Sequence, residues 1–341
     1  MTSIVVLTYN QLEDCTKSCI ESIYRYTDIK DFELIVVDND SQDGTPEYLK
    51  SIEPNYSNIS IILNDTNKGY SAGNNDGIKV SKGEYVILLN NDTLVSEDWL
   101  EQILKPFKKD KSIGMVGPIS NSVGNEQRVN IDGLNDKNYN EKIAKYIDDN
   151  KDIVTTTQRL GFFCVAIKKE LIDKIGLLDE KFGIGMFEDD DYCYRATKEN
   201  YKLVVTDGCF IYHKGSVSFK KLTTDAYHEI FTKNKNYFLE KHGVEWSYSD
   251  LLMGYLNYFT QISNSDNIAY RKEDFKNMIL FLKDIELKSN VEATTKLNKQ
   301  LMEMSDWATV LKNNLDEQNQ ELETIKTNFW YRVLRKLGLI K

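Results

Sequence analysis

Asn90-Asn91-Asp92 follows directly on an apolar run, Tyr85-Val86-Ile87-Leu88-Leu89. Such a run predicts a buried strand, and the edge where the strands of an open α/β sheet end is where these proteins bind ligands. A carboxylate flanked by amide oxygens at that edge suits a hard divalent cation and the phosphates it carries. Further along stand a run of acids, Glu188-Asp189-Asp190-Asp191, and a histidine, His213. Carboxylates at a helix start are favoured by the macrodipole, but four in succession exceed what capping needs. Their mutual repulsion raises at least one pKa toward a value useful for proton transfer. The three groups together predict an enzyme that uses a nucleotide-activated donor.

Other clusters are weaker alone. A strand over Phe32–Val37 runs into Asp38, and a carboxylate there can accept from the N–H of uracil or thymine, or simply cap its loop. The stretch Asn67-Lys68-Gly69-Tyr70-Ser71-Ala72-Gly73-Asn74-Asn75 opens a helix, where small residues permit close ligand approach and the N-terminus favours anions. The first strand ends in Thr8-Tyr9-Asn10 without a G-x-G-x-x-G, and the chain has no G-x-x-x-x-G-K-[ST]. These absences disfavour a dinucleotide Rossmann site and a P-loop. The formal net charge of -10 excludes nucleic acid as a partner held by bulk attraction.

The elements that position these residues alternate. Strands are expected at Ser3–Leu7, Phe32–Val37, Ile59–Leu63 and Tyr85–Leu89. Helices are expected at about Leu12–Tyr26 with Asn10 as cap, from Pro46 onward, at Ser71–Val80, and at 97–108 with Ser96 as cap. Repeated strand–helix units build a parallel sheet. Residues 120–155 are polar and weakly periodic and read as a lid or acceptor loop. Order resumes with a strand at Gly161–Ile167, a helix near Lys169–Ile175, a helix from about Glu188, a strand pair around Leu203–Tyr212, and a helix at 224–242.

Val5 to Asn10, Val36 to Thr45, Asn67 to Asn75, Leu88 to Thr93 and Phe187 to Arg195, in that order, resemble the motifs of the family 2 glycosyltransferases over roughly residues 2–220. The similarity looks closest to a bacterial branch termed rhamnosyl- or N-acetylglucosaminyl-transferase-like. It implies a GT-A fold: α/β, with a mostly parallel central sheet. It also implies an inverting transfer of sugar from a UDP- or dTDP-sugar to a hydroxyl of a surface glycan, a lipid-linked glycan or a protein. Thr8 and Tyr9 then lie where the family holds nucleobase and ribose, with Asn10 and Asn91 beside the nucleotide sugar. Asp38 sits where the base is read, and Asn67, Gly69 and Gly73 line the nucleoside pocket. Asn90-Asn91-Asp92 takes the place of the DxD motif, so Asp92 alone brings the metal a charge. His213 matches a histidine near the diphosphate, and a histidine ligand suits Mn²⁺ better than Mg²⁺. Asp189 falls at the catalytic base, and Glu188 orients it or binds sugar hydroxyls. Asp191 and Arg195 are spaced for an i,i+4 ion pair bracing the site. The competing readings are a sugar-nucleotide pyrophosphorylase, which lacks its Gly-rich basic loop here, and an inactive GT-A scaffold working through its tail.

The tail is distinct. Leu297, Leu301, Met304, Ala308, Leu311, Leu315, Gln318, Leu322, Ile325 and Phe329 keep a heptad register. This predicts a coiled coil and homo-oligomerisation through 297–329. The basic aromatic segment 329–341 suits an anionic membrane interface or a neighbouring chain. The expected division is a catalytic domain at 1–222, a helical extension at 223–285, a coiled-coil helix at 286–328, and the segment 329–341. Five scattered cysteines without a CxxC pair, and no apolar run long enough for a bilayer, predict buried thiols in a cytoplasmic protein, peripheral at the membrane at most.

Overall fold

The computed structural model describes residues 1–215, 223–262, 332–334 and 336–337. The predicted coiled coil lies outside these residues, as does most of the segment 329–341.

The N-terminal half winds as expected. Strands β1 (Thr2–Thr8), β2 (Phe32–Asp38), β3 (Ile59–Leu63) and β4 (Tyr85–Asn90) pair in parallel in the order β3-β2-β1-β4. Their continuous apolar runs reflect burial on both faces. Val5, Ile35, Val37 and Leu88 face one layer, which includes Ile78 of α3 (Gly69–Val80). Ile4, Val6, Leu34, Val36, Ile87 and Leu89 face the other. That layer is built from α1 (Lys17–Tyr26), α2 (Thr45–Ile52) and α4 (Trp99–Lys109).

The remaining strands are β5 (Thr93–Val95), β6 (Ile113–Ile119), β7 (Val154–Thr157), β8 (Cys164–Lys168) and β9 (Lys202–His213). Antiparallel β8 joins β4 to β6, β9 runs parallel to β6, and β5 and β7 pair antiparallel with β9. The expected strand pair at 203–212 is therefore one twelve-residue strand. It pairs with β6 and β7 through its first part and with β5 at its end, which spares it a turn.

Two expected caps are replaced. Asn10 Oδ1 accepts from the Gln42 N–H (2.8 Å), tying the first two loops together. The Leu12 N–H is satisfied instead by Asp43 Oδ2 (2.8 Å), and a π-helical turn at Leu12–Thr16 leads into α1. Ser96 Oγ donates to the Phe210 carbonyl, and α4 begins only at Trp99. The segment 120–155 is not structureless: α5 (Tyr139–Asn150) buries Tyr139, Ile143 and Tyr146, a stripe spaced four and three residues. All five cysteines are buried, and none forms a disulfide.

The helices α6 (Lys169–Ile175), α7 (Glu188–Lys198), α8 (Thr224–His242) and α9 (Tyr248–Ile262) complete the described fold. Residues 224–262, set apart by sequence as an extension, belong to the same compact unit as 1–215. The Tyr258 hydroxyl donates to buried Asp207 (2.6 Å), which also accepts from Tyr146 (2.7 Å), so β9, α5 and α9 share one carboxylate. No helix among the described residues is long and apolar enough to cross a membrane.

Candidate active site

Parallel register brings the ends of β1, β2 and β4 to one edge: Thr8 pairs with Asp38, and Leu7 with Asn90. Thr8 Oγ1 donates to Asp38 Oδ1 (2.8 Å) and the Ser41 N–H to Asp38 Oδ2 (3.0 Å). Asp38 is buried, so these bonds hold its carboxylate in place while each oxygen keeps a further lone pair. The Asn10 N–H donates to Ser41 Oγ (2.7 Å), and Tyr9 is exposed beside them. Asn39, which sequence reading left without a role, joins the next pair of candidates. Its amide donates to the Gly69 carbonyl (3.0 Å) and to Asn67 Oδ1 (3.3 Å). Gly73 faces inward, where a Cβ would lie 2.4 Å from Leu7 Cδ1, so its smallness serves helix-on-strand packing. Gly69, with φ of +83°, is required by a close approach: a Cβ there would lie 2.1 Å from the Gly183 carbonyl oxygen.

After β4, Asn91 turns back and donates to Thr16 Oγ1 (3.0 Å). The Thr93–His213 pairing of β5 with β9 carries His213 to Asp92. Nε2 of His213 lies 3.1 Å from Asp92 Oδ1, and both side chains are buried. Phe163 stacks on the imidazole at 5.3 Å. His213 Nδ1 lies 2.6 Å from the Ser122 carbonyl oxygen. A carbonyl only accepts, so Nδ1 carries the proton, and in the neutral ring Nε2 presents a lone pair. Asp92 Oδ1 takes no hydrogen bond from the protein. With a neutral ring two acceptors face each other at this contact, an arrangement that calls for a cation, whereas a protonated ring would pair with Asp92 directly.

A cleft of about 350 Å³ is lined by Asn90, His213, Glu188 and Asp189 together, with Tyr70 and Arg128 also in its wall. The Tyr70 hydroxyl donates to the Phe162 carbonyl (2.6 Å). Burial raises its pKa well above the usual value, reinforced by the charges of Glu188, Asp189 and Asp92, so all three carboxylates lie within electrostatic reach of one phenol.

The four consecutive acids are sorted by direction. Asp191 is fully buried and compensated: Arg195 Nε lies 2.9 Å from Oδ2, with Lys241 Nζ (2.5 Å) and His242 Nε2 (2.7 Å) at Oδ1. The expected Asp191–Arg195 pair is present, and Lys241 and His242 from α8 join it. Asp190 meets Arg159 Nε (3.2 Å) and accepts from Trp246 Nε1 (2.9 Å). Glu188 and Asp189 face the cleft. Burial raises the Glu188 pKa well above its usual value, and the neighbouring Asp189 charge adds to this. Glu188 Oε2 is buried without a hydrogen bond. Burial also raises Asp189, against the lowering effect of backbone N–H donors and of Arg159.

Among the described residues, no three or more His, Cys, Asp or Glu side chains form a ready-made metal cage. Asp92, beside His213, and the amide of Asn90 are the groups that could hold a metal here, a partial set that substrate oxygens would have to complete.

A sequence model of glycosyl transferase family 2 matches residues 3–176, more than half of the chain, and the protein belongs to that family. The match ends before the acidic cluster. Over 290 residues the chain is 27% identical to uncharacterized protein y4gI of Sinorhizobium fredii, covering 81% of this chain and 30% of that one. Among solved structures, GalNAc-T7 with UDP, GalNAc and Mn²⁺ has a TM-score of 0.52 at 16% identity, over 79% of this chain and 58% of that one. The mannosyltransferase PcManGT from Pyrobaculum calidifontis, in complex with GDP-Man and Mn²⁺, has a TM-score of 0.51 at 15% identity, over 91% and 83%. These likenesses show the GT-A fold. The chain spans about a third or less of the length of the first curated relatives it matches.

Proposed function

We propose that the chain is an inverting glycosyltransferase that moves a sugar from a UDP- or dTDP-sugar to a hydroxyl of a surface glycan, a lipid-linked glycan or a protein. The observation that carries this reading is the shared cleft, whose lining includes Asn90, His213, Glu188 and Asp189. The nucleoside half lies along Thr8, Tyr9, Asn10 and Asp38, with Asn67 and Gly69 joined to them through Asn39. A thermal-shift panel of UDP- and dTDP-sugars would identify the donor, since a true donor stabilises the fold by mass action.

Asp189 accepts the proton of the acceptor hydroxyl as its oxygen attacks the anomeric carbon. The bond from that carbon to the diphosphate oxygen breaks as the new one forms, and the electron pair leaves with the nucleoside diphosphate. One displacement inverts the anomeric centre. Glu188, held toward its neutral form by burial, donates to a sugar hydroxyl or to Asp189. Asp92, His213 and Asn90 would hold a divalent cation, Mn²⁺ in preference to Mg²⁺. When bound, such an ion neutralises charge developing on the leaving diphosphate.

Asp189→Asn tests the assignment. Transfer, or donor hydrolysis read as nucleoside diphosphate release, should fall by about 10²–10⁴-fold. UDP affinity by calorimetry should stay within about twofold of the parent. Loss of UDP binding together with activity would remove Asp189 from the role of base.

A further inference from the structure

The loop that delivers Glu188 and Asp189 has an unusual backbone. Met186 and Phe187 both have φ of 75°, after positive values at Gly183 and Gly185. Residues with side chains persist in that region only where their surroundings over-determine it. One buried side chain meets this loop at three points. Asn234, on α8, has its Nδ2 2.9 Å from the carbonyl oxygens of Phe182, Gly185 and Met186. Three acceptors surround the atom, so it is the amide nitrogen, and its two hydrogens are shared among them.

We infer that Asn234 is a positioning residue for the catalytic carboxylates, acting through the backbone of the loop that precedes them. The geometry supplies the mechanism. A carbonyl oxygen marks the direction of its peptide plane, and that plane sets ψ of its own residue and φ of the next. Holding the Gly185 carbonyl fixes φ of Met186, and holding the Met186 carbonyl fixes φ of Phe187. The two left-handed residues are therefore the two whose leading peptide planes the amide grips. Glu188 follows at once and opens α7. The same helix supports the loop from its apolar side. Phe187 packs against Phe231 at 5.2 Å, and Trp246, just beyond α8, packs against Phe187 at 5.3 Å. Asn234 lies outside the matched family region, which ends at 176. The helix that sequence reading set apart as an extension thus helps to build the site. The structural part of this inference stands alone; its catalytic part rests on the proposed function.

The test uses the full chain with Asn234→Ala and Asn234→Ser. A third variant, Thr223→Ala, serves as control: Thr223 caps α8 by accepting from the Ala226 N–H, a bond that does not involve the loop's carbonyls. Hydrogen exchange read by mass spectrometry should show amides at 183–191 exchanging at least about tenfold faster in both Asn234 variants, with residues 85–90 unchanged. The control should leave 183–191 as in the parent. With UDP-N-acetylglucosamine or whichever donor the parent turns over, kcat should fall by about 10²-fold while the donor KM stays within about twofold. An Asn234 variant whose exchange rises no more in 183–191 than elsewhere would overturn the structural claim. Faster exchange with unchanged kcat would overturn the catalytic one. If the parent turns over no nucleotide sugar, the proposed function fails while the exchange result still decides the role of Asn234. If Asn234→Ala does not fold, Asn234→Ser, which keeps one donor, carries both measurements.

Discussion

Asp92 Oδ1 and His213 Nε2 face each other across 3.1 Å, and the other imidazole nitrogen is committed to the Ser122 carbonyl. The contact is made by strand pairing, since the opposed residues Thr93 and His213 join sequence positions more than a hundred residues apart. Two readings of it differ in outcome. An imidazolium would make an ion pair that needs nothing else, whereas a neutral ring leaves two acceptors for a cation.

The second reading predicts that Asp92→Asn and His213→Ala each weaken Mn²⁺ binding, measured in the presence of UDP by electron paramagnetic resonance, by at least about tenfold. EDTA should suppress turnover, and Mn²⁺ should restore it. Unchanged Mn²⁺ affinity in both variants would leave the pair as a structural ion pair.

Glu188 gives the site a pH signature. Its pKa in the folded protein stands above the ordinary 4.5, because burial disfavours the charged form and Asp189 adds repulsion. From pH 4.5 up to that raised value the folded state holds more protons than the unfolded state, so stability falls as pH rises through the window. Glu188→Gln removes this loss. At pH 8 the variant should be more stable than the parent by on the order of 1 kcal/mol, about 2–4 °C in Tm. At pH 4, where Glu188 is mostly protonated in both states, the two should melt together. Thermal melts across this range decide it, and a variant less stable than its parent at pH 8 would contradict the raised value.

The strand–helix alternation of the N-terminal half was readable because strands covered on both faces appear as unbroken apolar runs, as at Ile4–Leu7 and Ile35–Val37. Helix α5 was not, since its apolar face, Tyr139, Ile143, Tyr146 and Ile147, follows a long Asn- and Asp-rich stretch and stands among mostly polar neighbours. The candidate site was half legible. Asp92, Glu188, Asp189 and His213 announce themselves by residue type and by place at strand or helix ends. The residues that aim them do not. Ser122 meets His213 from 91 positions away, and Asn234 reaches its three carbonyls from 48 to 52 positions away. No local spacing encodes such contacts. Asp190 and Asp191 look equivalent to Asp189 in sequence, and only the cations brought by Arg159 and by α8 separate compensated carboxylates from those that face the cleft.

Gly69 offers a test in which the expected sign is unusual. Replacing a helical glycine by alanine ordinarily stabilises, by about 0.5–1 kcal/mol, because the unfolded chain loses freedom. Gly69 opens α3 with φ of +83°, and a Cβ there would lie 2.1 Å from the backbone oxygen of Gly183. Neither partner is a side chain that can swing aside, so the helix start or the loop must move. Gly69→Ala should therefore cost about 1–3 kcal/mol in urea unfolding. Gly183 begins the loop that ends in Glu188, so the same displacement should lower kcat. Gly73→Ala makes the useful comparison. Its Cβ would meet the end of the Leu7 side chain at 2.4 Å, a group that can shift, and the position carries no left-handed backbone. Its penalty should be smaller, with kcat nearer the parent value. A Gly69→Ala variant as stable as Gly73→Ala would mean that the approach of α3 to the 183–187 loop does not constrain the site.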